Sequence, residues 1–97
     1  MSLIFRLSQI VRVDDRIVAE ALNSLDGEDL AMVLFNAPTY VRAKLYGNMS
    51  GRRAKEIREY MLIKSSAFIS PRVKTAEKKV IETINKKILE YLSREQG

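Results

Sequence analysis

The sequence contains no cysteine and no histidine, and it has only four glycines and two prolines among its 97 residues. Without cysteine, the chain has neither a disulfide framework nor a thiolate nucleophile. Without histidine, it lacks the commonest general base and the commonest metal ligand. The sequence also has no Gly-rich phosphate loop and no nucleophile spaced with a base. These absences predict a protein that is not an enzyme and that binds no cofactor.

Long hydrophobic runs are missing as well. No apolar stretch approaches the roughly 18 residues that a membrane-spanning helix needs, and the opening MSLIFRLSQIV is too short and too interrupted for a signal peptide. We therefore expect a cytoplasmic protein with no membrane insertion. The composition, with 46% hydrophobic and 30% charged residues, is typical of one ordinary folded domain.

The charge is unevenly distributed along the chain. The net charge is +5, and residues 42–97 contain most of the lysines and arginines. This basic half could belong to a module that binds nucleic acid or another polyanion, through the side chains of Lys74, Lys78, Lys79, Lys86 and Lys87. Its acidic residues are interspersed at helical spacings, however, which is more typical of a solvated face with ion pairs.

Residues that favour helix starts recur at a constant interval. Asp14, Asp26, Pro38 and Ser50 each suit an N-cap or a first helical turn, and they lie twelve residues apart. Between them, apolar residues recur at spacings of three and four, which indicates amphipathic helices. The first half of the chain is therefore predicted to form short helices on tight links.

Local features predict how these helices begin and end. The Asp26 side chain can accept a hydrogen bond from the backbone amide of Asp29. Asn36 suits a left-handed position after the second helix, and Pro38 can then start the third with its φ already fixed. Gly47 is predicted to end the third helix in the same way. Adjacent Asp14 and Asp15 could be metal ligands or a catalytic carboxylate pair, but at a helix start they favour capping.

A longer helix is predicted to begin at Ser70 and Pro71, after a loop over residues 65–69. It has an apolar stripe opposite a charged face. The stripe consists of Val73, Ala76, Val80, Ile84, Ile88 and either Tyr91 or Leu92. No segment alternates as a strand would. We therefore predict an all-α fold, an armadillo-like superhelical stack of short helices closed by a longer C-terminal helix.

The helix predicted over residues 51–64 is the surface most suited to a partner. If Ala54 and Ile57 face inward, Arg52, Glu56 and Glu59 lie along the outward face. Arg52 and Glu59 are then about 10 Å apart, with opposite charges that a complementary partner could recognise. Two ordinary i,i+4 pairs, Arg52 with Glu56 and Lys55 with Glu59, are the simpler interpretation of the same charges.

Three stretches resemble the C-terminal domain of the FliG family of flagellar motor switch proteins. They are VDDR at 13–16, LDGEDLAMVLFNA at 25–37 and NMSGRRAKEIRE at 48–59. The resemblance extends without gaps from about residue 4 to residue 64, and more loosely through VKTAEKKVIETINKKI. It implies that residues 1–13 form a hinge-like leader and that residues 14–97 form one helical domain. Within the leader, IFRL at 4–7 resembles the family's Met-Phe-x-Phe hinge; Phe5 matches the pattern, and Ile4 and Leu7 depart from it.

The function implied by the resemblance is that of a non-enzymatic rotor component at the base of the flagellum. Such a protein meets the cytoplasmic loop of the stator and other switch-complex proteins, receives torque, and multimerises in the assembled rotor ring. Arg52 and Glu59 fall on ridge charges of the family, and Lys55 and Glu56 lie beside them.

Three ridge positions depart from the family pattern. Phe35 stands where a lysine is frequent, Tyr60 stands where a second acid is usual, and Phe68 or Ile69 stands where an arginine precedes the last helix. The lost charges weaken the field that a partner would recognise, and aromatic side chains could add an apolar contact instead. Two interpretations remain open: a member with a shifted stator interface, or a diverged paralogue that acts as a helical adaptor with reduced stator contact.

Overall fold

A computed structural model describes residues 2–96, with side chains as far as Glu95. A 3-10 helix at Leu7–Arg12 is followed by α1 (Asp15–Asn23), α2 (Gly27–Asn36), α3 (Thr39–Tyr46) and α4 (Gly51–Lys64). A second 3-10 helix, Ser65–Ala67, leads into α5 (Ser70–Gln96). The described part of the chain contains no strand. The prediction of an all-α stack closed by a longer helix is confirmed.

The four helix starts lie where the twelve-residue interval predicts them. Asp14, Asp26, Pro38 and Ser50 are the N-cap residues of α1 to α4. The Asp14 carboxylate accepts from the Arg16 amide at 2.8 Å. The predicted side-chain hydrogen bond at Asp26 is wrong, because its carboxylate accepts none from the first turn. The start of α2 is exposed, so water can satisfy its free amides.

The predicted helix ends are right in place and wrong in mechanism. Asn36 is the last residue of α2 and is not left-handed; no residue of the described chain has a positive φ. Pro38 forces Ala37 into an extended conformation with ψ 146°, and this ends α2 without a left-handed residue. Gly47 follows α3 with φ −65°, where a Cβ atom would lie 3.0 Å from the Ala43 carbonyl oxygen. Close approach of the backbone, not positive φ, explains this glycine.

The core lies between α5 and the short helices. α5 packs across α1 and α2, and α2 also packs against α4. All five aliphatic residues of the predicted α5 stripe, from Val73 to Ile88, are buried, and Tyr91 and Leu92 are both half-buried at its end. Burial of this stripe against α1 and α2 supplies the main hydrophobic stabilisation of α5. α1 and α2 are thereby held in a fixed relation to each other.

The N-terminal leader packs on the core and is hydrogen-bonded to α5 through the side chain of Asn85. The Asn85 amide accepts from the Ile4 backbone N–H and donates to the Ile4 carbonyl, both at 2.8 Å. Ile4 is buried at 2% exposure, and Leu7 packs against the same core. Phe5, between them, is 80% exposed. The three hinge-like residues therefore have different environments, and the first of them is held on the domain.

Candidate protein-interaction site

The candidate site is the outward face of α4, which is positioned by its cap and its buried side. The Ser50 hydroxyl accepts from the Arg53 amide at 3.1 Å and fixes the start of the helix. Ala54 and Ile57 are buried, and the helix packs against α2. The exposed charged face, called the ridge from here on, consists of Arg52, Lys55, Glu56 and Glu59.

Charges on the ridge are only weakly tied to one another. Arg52 Nε lies 3.3 Å from Glu56 Oε1, and their side chains are 90% and 62% exposed. An exposed i,i+4 pair of this kind contributes about 0.3–0.5 kcal/mol. The other predicted pair is not formed, since no ion pair of residues 2–96 joins Lys55 to Glu59. Both of these charges remain available to a partner.

Three aromatic residues, which the resemblance predicts to depart from the family pattern, form a cluster next to the ridge. The Phe35 and Phe68 rings meet edge to face with centroids 5.6 Å apart. Tyr60 stacks with Phe68 at 6.1 Å. Tyr60 and Phe68 are half-buried against the core, and Phe35 is 46% exposed. We call these three residues the aromatic cluster; it places an apolar surface where the family pattern has charges.

Arg53 is a positioning residue that sequence reasoning missed. Its guanidinium donates to the carbonyl oxygens of Leu22 and Leu25, at and just beyond the end of α1. These bonds attach the first turn of α4 to the end of α1, where the Leu22 carbonyl also accepts from the backbone amide of Leu25. The sequence offered one indication: Arg53 precedes the buried Ile57 by four positions, so it cannot share the fully outward face of Arg52.

Asp14 and Asp15, which could have formed a catalytic carboxylate pair, each hydrogen-bond to other residues of the fold. Asp14 caps α1 through its side chain. Asp15 accepts from Lys44 Nζ at 2.7 Å and from Asn48 Nδ2 at 3.0 Å, which joins the start of α1 to the end of α3. Among residues 2–96, no group of three or more His, Cys, Asp or Glu side chains is arranged to hold a metal ion. The capping interpretation of Asp14 is confirmed.

The lysines of α5 do not form one unpaired basic surface. Lys78 lies 3.9 Å from Glu82, Lys79 lies 3.7 Å from Asp29, and Lys87 lies 3.3 Å from Glu90. Neighbouring carboxylates reduce the positive potential that a polyanion would experience. The structure thus offers no specific feature in favour of nucleic-acid binding. No helix within residues 2–96 is long and apolar enough to cross a membrane.

Comparison with known proteins identifies the family to which this chain belongs. The family model of the FliG C-terminal domain matches residues 1–92. The chain belongs to this family. The resemblance of VDDR, LDGEDLAMVLFNA and NMSGRRAKEIRE is thereby confirmed, and the match includes the leader. The chain is also similar to the flagellar motor switch protein FliG of Borreliella burgdorferi (strain ATCC 35210 / DSM 4680 / CIP 102532 / B31), with 31% identity over 86 residues. That alignment covers 84% of this chain and 24% of the relative.

Proposed function

We propose that this FliG C-terminal domain is a non-enzymatic rotor and switch component of the bacterial flagellar motor. In this proposal it receives torque through contact between the ridge and the cytoplasmic loop of the stator. It works in the cytoplasm at the base of the flagellum, where it multimerises with other switch-complex proteins in the rotor ring. The chain spans about a quarter of the length of its relative, so these activities are inferred from the family and from the ridge.

One observation supports the stator contact above the others. Arg52 and Glu59 lie two turns apart on the exposed face of α4, and neither is buried or tied into the core. Exposed charges of opposite sign, two turns apart on a helix, give a partner an orientation to match, and they affect association rate more than affinity. The aromatic cluster beside them supplies an apolar contact that a purely charged ridge would not have.

The second candidate function is a helical adaptor with reduced stator contact. The aromatic cluster favours it, because Phe35, Tyr60 and Phe68 occupy three positions at which the family pattern has charges. Loss of these charges weakens long-range steering toward a charged loop. Under this alternative the domain still binds other switch-complex proteins, but the stator contact contributes little to rotation.

Charge reversal in the bacterium that carries the gene separates the two candidates. Arg52→Glu and Glu59→Lys, introduced singly into the chromosomal gene, are expected to slow swimming while the flagella still assemble. Arg12→Glu and Glu95→Lys are matched controls, because they reverse the same charges at exposed residues outside α4. Circular dichroism of each purified domain checks that the helices remain.

Each outcome points to one candidate. Slower swimming in both ridge variants, relieved by an opposite reversal in the stator loop, supports the torque contact. Normal swimming in both ridge variants, together with switch-complex proteins that still co-purify with the domain, excludes the torque contact and supports the adaptor. We expect these variants to lose swimming speed without unfolding, because substitutions at exposed surface residues usually change stability by less than about 0.5 kcal/mol.

A further inference from the structure

An apolar groove of about 600 Å³ opens between α3 and α4, apart from the ridge. Its lining consists of Leu34, Phe35, Arg42, Tyr46, Met61 and Leu62, with Arg58 and Ser65 at its edges. α3 packs on the first 3-10 helix and on α2 rather than along α4, so the two helices leave space between them. The end of α2 forms the floor of this space. None of the four ridge residues lines it.

The groove exposes apolar surface that the domain itself does not cover. Leu62 is 84% exposed and Phe35 is 46% exposed, whereas Leu34 beneath them is fully buried. A single exposed leucine is ordinary on a protein surface. Large apolar side chains gathered along one concave surface are instead typical of interaction sites.

The charged groups at the groove all have the same sign. Arg42 and Arg58 line it, and no carboxylate does. Within residues 2–96, neither arginine forms an ion pair. The Arg58 guanidinium lies over the Tyr46 ring, 5.2 Å from its centroid, and this contact holds the cation at the rim. The groove therefore combines an apolar floor with two arginines that lack a carboxylate.

We propose that this groove binds an amphipathic helix of another protein, with apolar side chains in the groove and acidic residues against Arg42 and Arg58. Helices that lie in apolar grooves use anchors at spacings of three and four, and charges at the rim set their orientation. A second copy of this chain fits poorly. Three of its most exposed apolar residues, Phe5, Leu62 and Ile69, each lie within three residues of an arginine or lysine, so pairing through them would bring like charges together. The inference does not depend on the stator contact.

Binding of three designed peptides tests the proposal. Each fluorescein-labelled peptide is a helix of about four turns with the same leucine and phenylalanine stripe. The polar face consists of glutamate in the first peptide, glutamine in the second and lysine in the third. Fluorescence anisotropy with the intact chain is measured at about 50 mM and about 300 mM salt. The glutamate peptide is expected to bind most tightly, the glutamine peptide about tenfold more weakly, and the lysine peptide not at all.

Variants of the domain locate the binding surface. Arg42→Glu, Arg58→Glu and Leu62→Ser are each expected to weaken the glutamate peptide by about tenfold. Arg12→Glu makes the same charge change at an exposed residue outside both the groove and the ridge, and Leu89→Ser removes a leucine that is 54% exposed on α5. Both controls are expected to bind like the original chain. Circular dichroism confirms that each variant is folded.

Several results would overturn the proposal. One is the absence of saturable binding by the glutamate peptide, and another is equal binding by the lysine peptide. A loss in Arg12→Glu as large as that in Arg58→Glu would show that overall charge, not the groove, governs binding. A dimer of the free chain that Leu62→Ser abolishes in sedimentation would show that a second copy covers the groove.

Discussion

Phe35 at the end of α2 and Phe68 after the second 3-10 helix meet edge to face, with ring centroids 5.6 Å apart. Tyr60 of α4 stacks on Phe68, so two ring contacts join α2, α4 and the segment that follows the second 3-10 helix. The resemblance to the family predicts ridge charges at these three positions. A single such replacement would leave an aromatic ring without an aromatic neighbour. The three departures are therefore one coupled structural feature.

Coupling within the aromatic cluster can be measured by a double-mutant cycle. Phe35→Ala and Phe68→Ala should each lower the free energy of unfolding, and the double variant should lose less than the sum. We expect a coupling energy of about 0.5–1.5 kcal/mol, because an edge-to-face pair contributes this much beyond its buried area. Urea unfolding followed by circular dichroism gives the four values. Phe5→Ala, at an 80% exposed ring, is the control; strict additivity would contradict the contact.

Neighbouring arginines on α4 are expected to differ sharply in their effect on stability. Arg53→Ala removes the donor to the Leu22 and Leu25 carbonyls and should lower the free energy of unfolding by about 1–3 kcal/mol. Arg53→Lys should recover only part of the lost unfolding free energy. The lysine ammonium lacks the planar set of N–H donors with which the guanidinium reaches both carbonyls. Arg52→Ala removes a side chain that is 90% exposed, and it should change the free energy of unfolding by less than about 0.5 kcal/mol. Equal effects at the two positions would refute the assignment.

The carboxylate of Asp15 should make stability depend on acid pH. Hydrogen bonds from Lys44 and then Asn48 lower the pKa of Asp15 from its ordinary 3.8. Because the folded-state pKa is lower, the unfolded chain binds more protons between the two pKa values. The stabilisation is therefore present above the ordinary pKa and is lost as the pH falls through the folded-state pKa.

Asp15→Asn should flatten this pH dependence. Urea unfolding from about pH 6 to about pH 2 should give a smaller decrease of unfolding free energy in Asp15→Asn than in the original chain. Glu95→Gln is the control, since this carboxyl group is exposed and joins no ion pair of the described residues. If the free energy of unfolding falls in parallel for Asp15→Asn and the original chain, the ion pair with Lys44 does not contribute to the pH dependence of stability.

Asn85 should hold the leader on the domain. Asn85→Ala leaves the N–H and C=O groups of Ile4 without their partner, which should cost about 1–2 kcal/mol and release the leader from α5. Trypsin should then cleave after the exposed Arg6 more rapidly. Ser93→Ala, at an exposed position of the same helix, is the control. An unchanged cleavage rate would mean that apolar packing of the leader, without the Asn85 hydrogen bonds, retains it on the domain.

Local features of the sequence predicted the helices. The features that the sequence did not predict depend on backbone conformation or on contacts between distant residues. Asp14, Asp26, Pro38 and Ser50 act through their immediate neighbours, so their spacing sufficed to place four helix starts. The mechanisms at Asn36 and Gly47 were misjudged because backbone conformation and close approach are not visible in residue type alone. Asn85 binds a residue 81 positions away, and no local pattern indicates that contact.

The candidate site was predictable to a similar extent. The outward orientation of Arg52, Glu56 and Glu59 follows from the buried Ala54 and Ile57, since helical periodicity fixes both faces together. The aromatic cluster did not follow, because its members belong to three segments that only the packing of α2 and α4 brings together. The function of the ridge stays a prediction.

Disulfide cross-linking tests the stator contact most directly, because the chain has no cysteine of its own. Arg52→Cys and Glu59→Cys are each combined with a single cysteine in the stator's cytoplasmic loop, and cells are treated with a mild oxidant. The account predicts a cross-linked product from positions 52 and 59 and none from Glu95→Cys on α5. A product from position 95 alone, or equally from all three positions, would contradict it.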